Sequence, residues 1–349
     1  MLADTAVEDY DNYSIDYENE TFCDREIMDM KNQKLILYSF IFVLGVAGNG
    51  LMITVLLRRL RFLRITEIYL LHLALADLML LFTFPFDVVD CFSGWVFGGF
   101  LCKLVGLLRH LNVSCGSFLL ACIGFDRYLA IVHAIPSMQS RRRRTVHLTC
   151  IVLWLFCLGL SIPNVVFLRV DLVNTSAPSC SFSNYEIHAS NWVLTKRLLD
   201  HICFFLPLAV MSYCYTAVVV TLCKSQKSQA KKGAIRLALL VTVIFFICWL
   251  PYNITLLIQT LEYLEVFRSV SCYSYILHLE TLGVTEILGF SHCCLNPFLY
   301  AFVGVRFRNE LLQLLCKLGC SRVCVPFIEL QSHRRASISE GLTTISSNI

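Results

Sequence analysis

Charge is what this 349-residue chain has least of. Only 15% of its residues are Asp, Glu, Lys or Arg, and 57% are hydrophobic, whereas an average soluble domain is about 25% charged. So little charge excludes a water-soluble globule. Paired metal ligands are missing as well: His72, His201 and His292 each stand alone, without ligand spacing. An enzyme is accordingly the least favoured class. There is no internal repeat and no pair of interrupted spans, which counts against a transporter or channel. A cleavable leader is not expected either, because the N-terminus is acidic where a leader is basic and no short apolar segment precedes the first long one.

What the chain has instead is long apolar runs. A helix needs about 20 mostly apolar residues to cross the ~30 Å hydrocarbon layer. Seven runs qualify, at 35–57, 67–90, 100–131, 146–168, 198–223, 235–261 and 279–303, the third long enough to extend past the bilayer. The fold class is therefore an all-α membrane protein, a seven-transmembrane helix bundle. Residues 1–34 read as a disordered acidic leader, 35–303 as the bundle, 304–318 as an interfacial amphipathic helix with Phe307, Leu311, Leu314 and Leu315 on one face, and 319–349 as a flexible tail.

Basic residues orient the bundle. Arg58, Arg59, Arg61 and Arg64 follow span one, Arg141 to Arg144 follow span three, Lys224, Lys227, Lys231 and Lys232 follow span five, and Arg306 and Arg308 open the tail. All fall on one side, which the positive-inside rule makes cytoplasmic. Topology and anionic membrane lipid account for this charge without a nucleic acid partner. Residues 1–30, with ten acids against the single base Arg25, are then extracellular. Asn12, Asn19 and Asn174 start glycosylation sequons in outer segments. Cys316, Cys320 and Cys324 follow the interfacial helix as palmitoylation candidates. Cys23, Cys102, Cys180 and Cys272 lie on the oxidising side, where three pairings are open to four cysteines.

Polar groups inside spans cost energy, by about 2.5–3.5 kcal/mol for a charge at a helix centre on insertion scales. Asp77, Asn49, Asn296 and Glu286 occupy such positions, and Asp126 and Arg127 end span three. They predict a polar network able to exchange partners between two packings. Pro85, Pro163, Pro207, Pro251 and Pro297 interrupt spans, each removing a backbone hydrogen bond. Pro251 and Pro297, beside Trp249 and Asn296, read as hinges.

Asp126-Arg127-Tyr128, Cys248-Trp249-Leu250-Pro251 and Asn296-Pro297-Phe298-Leu299-Tyr300 occur in this order, together with Asn49, Asp77, Pro207 and Tyr215. Over about residues 35–316 the chain resembles the rhodopsin-like G-protein-coupled receptors. The extended stretch Asp126 to Ala134, Thr83-Phe84-Pro85, Cys23 with Cys272, and Glu286 make it similar to the chemokine receptors. His292-Cys293-Cys294-Leu295-Asn296-Pro297 and Lys317-Leu318-Gly319-Cys320 resemble their CXC branch, and Arg334 to Ser339 its B-cell follicle-homing type, with the activated-T-cell type second.

The resemblance implies disulfides Cys102–Cys180 and Cys23–Cys272, and no cofactor. It implies a basic chemokine as ligand, captured by the acidic leader through Tyr10, Tyr13 and Tyr17, which sit among acids as sulfation requires. The ligand's N-terminus would then meet Asp87, Asp90 and Glu286. Trp249 and Pro251 would let span six swing, and Tyr215 and Tyr300 would engage Arg127 to admit a heterotrimeric G protein, of Gi class, driving cell migration. Arrestin and receptor kinase would use the Ser/Thr-rich tail. Asn49, Asp77 and Asn112 would form the buried network. Relatives bind sodium at the span-two aspartate with a serine and an asparagine, where this chain has Gly116 and His292, so sodium at Asp77 is not expected. Lys231 stands where many relatives of the wider superfamily place an acid against the Arg127 position, leaving Asp126 as the expected partner of Arg127. The competing readings are a non-signalling chemokine scavenger and a receptor of the same fold for another peptide.

Overall fold

The computed structural model describes residues 17–58, 63–133, 143–171, 178–182, 189–223, 229–264, 272–303 and 305–317. Among them the helices run α1 Tyr17–Leu57, α2 Ile65–Leu81, α3 Phe84–Ser93, α4 Gly98–Ile131, α5 Arg143–Leu160, α6 Ile162–Phe167, α7 Ala189–Cys223, α8 Gln229–Tyr263, α9 Cys272–Phe290, α10 His292–Val303 and α11 Val305–Lys317. Six stretches are long and apolar enough to cross a membrane: Gln33–Leu57, Ile65–Ser93, Gly98–Ile131, Arg144–Phe167, Val193–Cys223 and Ile235–Glu262. The seventh expected span is carried by α9 and α10, which meet at a turn on Ser291. The packing is that of a seven-helix bundle. The expected disordered leader ran to residue 34, whereas the first helix already begins at Tyr17.

Each break has a local cause. Span two is interrupted between α2 and α3, where Pro85 lies in the first turn of α3 and has no N–H to continue the ladder. Thr83 closes the gap, because its N–H and its Oγ1 both donate to Leu80 O at 2.8 Å. Span four breaks at Ser161, before Pro163, with Ser161 Oγ donating to Cys157 O at 2.7 Å. In the seventh span Pro297 leaves the carbonyl four residues back, that of Cys293, without its helical donor. Asn49 Nδ2 from α1 supplies one at 2.9 Å, and also donates to Gly45 O at 3.0 Å. One asparagine thereby ties the first span to the weak point of the last.

Packing is inside out relative to a soluble protein. Leu148, Ile151 and Leu155 on α5 and Ile247, Ile254 and Ile258 on α8 are exposed, whereas Asn49, Asp77, Asn112, His292 and Asn296 are fully buried. Such an outer surface requires lipid. Close helix contact relies on missing side chains at two points. A Cβ on Gly48 would come within 2.8 Å of the Pro297 ring, and one on Gly289 within 2.6 Å of Trp249.

At one end of the bundle, strands β1 Leu168–Asp171 and β2 Ser179–Phe182 pair antiparallel, with Cys180 opposite Val170. Cys180 is disulfide-bonded to Cys102 in the first turns of α4, with Cα atoms 5.7 Å apart. This is the first of the two expected bridges. The second lies outside the described side chains, as do those of Tyr17, Asn19 and Lys231. Tyr10, Asn12, Tyr13, Asn174, Cys320 and Cys324 lie outside the described residues altogether. At the other end α11 folds back, burying Leu314 and setting Phe307 6.3 Å from Tyr300, ring to ring. Cys316 sits half-buried near its end.

Candidate functional site

Between the hairpin and the middle of the bundle lies a cluster of charged groups, the charged pocket. Asp87 on α3 is buried, and Oδ1 accepts a hydrogen bond from Arg109 Nη2 on α4. Asp87 Oδ2 and Arg109 Nε have no hydrogen-bond partner among the described residues. Glu286 on α9 is within electrostatic reach of Arg109, Lys34 and Lys196. Asp90, nearly one turn beyond Asp87, is exposed at the rim. Across the pocket Lys196 Nζ donates to Asp200 Oδ2 at 2.7 Å, and His110 Nε2 stands 3.1 Å from Asp200 Oδ1. Asp87 was expected to be available to a ligand and instead carries Arg109. Sequence reading passed over Arg109, His110, Lys196 and Asp200, although Arg109 lies in an apolar run, where the cost rule used for Asp77 applies equally.

Below the pocket the contacts are continuous. The Arg109 guanidinium lies over the Phe290 ring, Cζ 5.6 Å from its centroid, within cation–π range. Phe290 packs edge-on against Trp249, with centroids 5.6 Å apart. Trp249 Nε1 donates to His292 Nδ1 at 3.1 Å, and His292 Nε2 approaches Asp77 Oδ1 at 3.3 Å. Nδ1 also lies 2.6 Å from Gly289 O, so it meets a donor and an acceptor at once, and Nε2 is the ring nitrogen that faces the carboxylate. Asn112 Nδ2 and Asn296 Nδ2 donate to the two oxygens of Asp77 at 3.0 and 2.9 Å. Of the residues expected in a buried network, Asp77, Asn112 and Asn296 meet directly and His292 joins them, whereas Asn49 bonds the backbone oxygens of Gly45 and Cys293 instead.

This donor set does not suit sodium, which takes oxygen ligands. The Asp77 carboxylate is met by the amide N–H groups of Asn112 and Asn296 and by a nitrogen of His292, and the two amide oxygens have no hydrogen-bond partner among the described residues. Gly116 offers no side-chain oxygen, and the Phe245 ring would lie 3.0 Å from a Cβ placed there. No step below passes through a metal.

At the inner end Asp126 Oδ2 is 3.4 Å from Arg127 Nη2, and Arg127 also donates to Thr66 Oγ1 on α2. Tyr128 OH is 3.0 Å from His133 Nε2. Tyr215 OH is 3.2 Å from Thr242 Oγ1 on α8, so in this structure it is held by α8 rather than by Arg127. The Tyr300 hydroxyl is buried without a partner among the described residues. Pro251 lies inside α8, and Asn253 Nδ2 donates to Trp249 O at 2.9 Å beside it.

Residues 48–300 match the family model of the 7 transmembrane receptor (rhodopsin family). "C-X-C chemokine receptor type 5" of Homo sapiens is 43% identical over 308 residues, covering 87% of this chain and 82% of that receptor. "C-X-C chemokine receptor type 1" of Homo sapiens is 40% identical over 319 residues, 90% of this chain and 88% of its own length. "C-X-C chemokine receptor type 3" of Bos taurus is 40% identical over 344 residues, 95% and 92% of the two chains. Those matches extend through the charged pocket, the Trp249–Asp77 column and the Asp126-Arg127-Tyr128 end alike. The chain belongs to the rhodopsin family of seven-transmembrane receptors, within its CXC chemokine receptors.

Proposed function

We propose that this receptor binds a small, basic CXC-type chemokine on the extracellular side and passes the signal to a heterotrimeric G protein of the Gi class, driving cell migration. The observation that carries the reading is the unbroken contact from the Arg109 site through Phe290, Trp249 and His292 to Asp77 and Asn296. A group arriving in the pocket acts on the same side chains that brace α8 and α10.

The acidic leader faces outward in this reading and attracts a cationic partner over roughly the ~8 Å Debye length of physiological salt. Tyr10, Tyr13 and Tyr17 would carry sulfates, and Asn12, Asn19 and Asn174 glycans. Cys23–Cys272 would tie the leader to the seventh span. The chemokine's N-terminus reaches Asp87, Asp90 and Glu286. A swing of α8 about Pro251 parts Tyr215 from Thr242 and brings it, with Tyr300, toward Arg127. Arg127 leaves Asp126 and Thr66, and Asp126-Arg127-Tyr128 then borders the G-protein cavity. Arrestin and a receptor kinase use the Ser/Thr tail, while palmitate on Cys316, Cys320 or Cys324 holds α11 at the plasma membrane. The ligand shifts this equilibrium only by its differential affinity for the two states.

A panel of chemokines applied to transfected cells, read by calcium and cAMP, tests the reading. A CXC member is expected to signal in the wild type and to bind without signalling in Arg127→Ala. Silence across the panel in cells that display the receptor would overturn it.

A further inference from the structure

We propose that Asp87, Glu286 and the face of Phe290 form a cation subsite that Arg109 fills in the unliganded receptor, and that a cationic ligand group takes that place on binding. The proposal deepens the reading of this pocket as the end-point of a chemokine N-terminus and rests on it for the identity of the ligand. The subsite itself stands on the geometry.

Three features define it. Asp87 is nine-tenths buried; Oδ1 accepts from Arg109, and the nearby Thr83 hydroxyl is committed to Leu80 O, so among the described residues no second cation engages Oδ2. Glu286, one turn before Phe290 on α9, brings a second carboxylate within electrostatic reach of Arg109, and Phe290 supplies an aromatic face under the guanidinium. Two acids over an aromatic ring are what an ammonium or guanidinium requires on leaving water. The occupant, Arg109, comes from the receptor itself. Its side chain is 29% exposed, so it can be reached from the pocket. The other charges around it are Lys34 and Lys196 near Glu286 and Asp90 at the rim.

A receptor's own cation in such a place acts as a tethered competitor. It keeps two inward-facing acids paired while no ligand is present, and it lowers the apparent affinity of any cation that must displace it. It also sets selectivity. A neutral ligand end leaves Arg109 in place, and an anionic end is repelled by Asp87 and Glu286. A cationic end exchanges with Arg109 and removes the guanidinium from Phe290, the ring that touches Trp249. The first contact of the signalling column is therefore made or broken by charge exchange rather than by steric push.

The test uses full-length receptor in lipid nanodiscs, thermal melting as readout, and propylguanidinium as probe, with neutral propylurea as its isostere. Propylguanidinium is expected to stabilise Arg109→Ala at concentrations about tenfold below those needed for the wild type, because the tethered competitor is gone. Propylurea is expected to stabilise neither. Adding Asp87→Asn to the variant removes the response. Arg109→Gln, which keeps most of the stem, serves where the alanine variant does not fold. Equal responses of wild type and variants, or propylurea matching propylguanidinium, would overturn the proposal. Because no chemokine is used, a silent chemokine panel leaves this result interpretable.

Discussion

Two buried aspartates in one span, Asp77 and Asp87, are held in opposite ways. Asp77 is met from α4 by Asn112 and from α10 by Asn296 and His292, through nitrogens that can all be neutral. Asp87 is met by one cation from one helix, Arg109, with an oxygen left over and an opening to the pocket. Three partners from two helices cannot be exchanged without moving those helices. A single side-chain cation can be. In the proposed function the deeper aspartate would hold the state of the bundle, and the outer one would be where a ligand changes it.

The contrast is broken if the two aspartates respond alike to removal. Asp77→Ala leaves three buried partners unpaired, at about 1–3 kcal/mol each, and is expected to lower the melting temperature steeply. Asp87→Ala strands one partly exposed cation instead of three buried partners and is expected to cost less. Equal losses would end the distinction. The joint between the two regions comes next. Gly289→Ala places a Cβ against Trp249 and is expected to destabilise by about 1–3 kcal/mol and to change ligand-independent G-protein loading. Gly50→Ala, with open space around the Cβ, is the silent control. Trp249→Phe keeps the ring packing but removes the donor to His292, for about 1 kcal/mol and a rise in basal loading measured with non-hydrolysable GTP. The smallest effect sharpens the nature of the inner site. Exchanging NaCl for KCl is expected to leave wild-type melting unchanged, whereas His292→Asn is expected to gain stability in sodium. A sodium-dependent wild type would show that an ion displaces the imidazole.

The inner site was legible in the sequence because its members break the hydrophobic pattern. Asp77 within LALADLM and Asn296 before Pro297 stand out by cost alone. The partner of Asn49 was not legible. Its target is the carbonyl that Pro297 strips of its donor, and nothing in a string of letters brings residue 49 to residue 293. Arg109 was visible by the same cost rule and passed over, and its pairing with Asp87 was not legible, because only the fold brings α3 beside α4. Tyr215 was expected to engage Arg127 once span six has swung, and here its hydroxyl meets Thr242. A hydroxyl takes whichever partner the current helix spacing brings within reach.

By itself the sequence determined the number of spans, where their ladders fail and which polar groups are too costly to face lipid, because each follows from hydrocarbon thickness, proline chemistry and desolvation acting on neighbours in the chain. Only the tertiary structure decided which of those groups meet. It paired Asp87 with Arg109, set Phe290 edge-on to Trp249, and placed His292 against Asp77. Such pairings depend on how helices are rotated and tilted against one another, and that is settled by close packing at small residues such as Gly48 and Gly289.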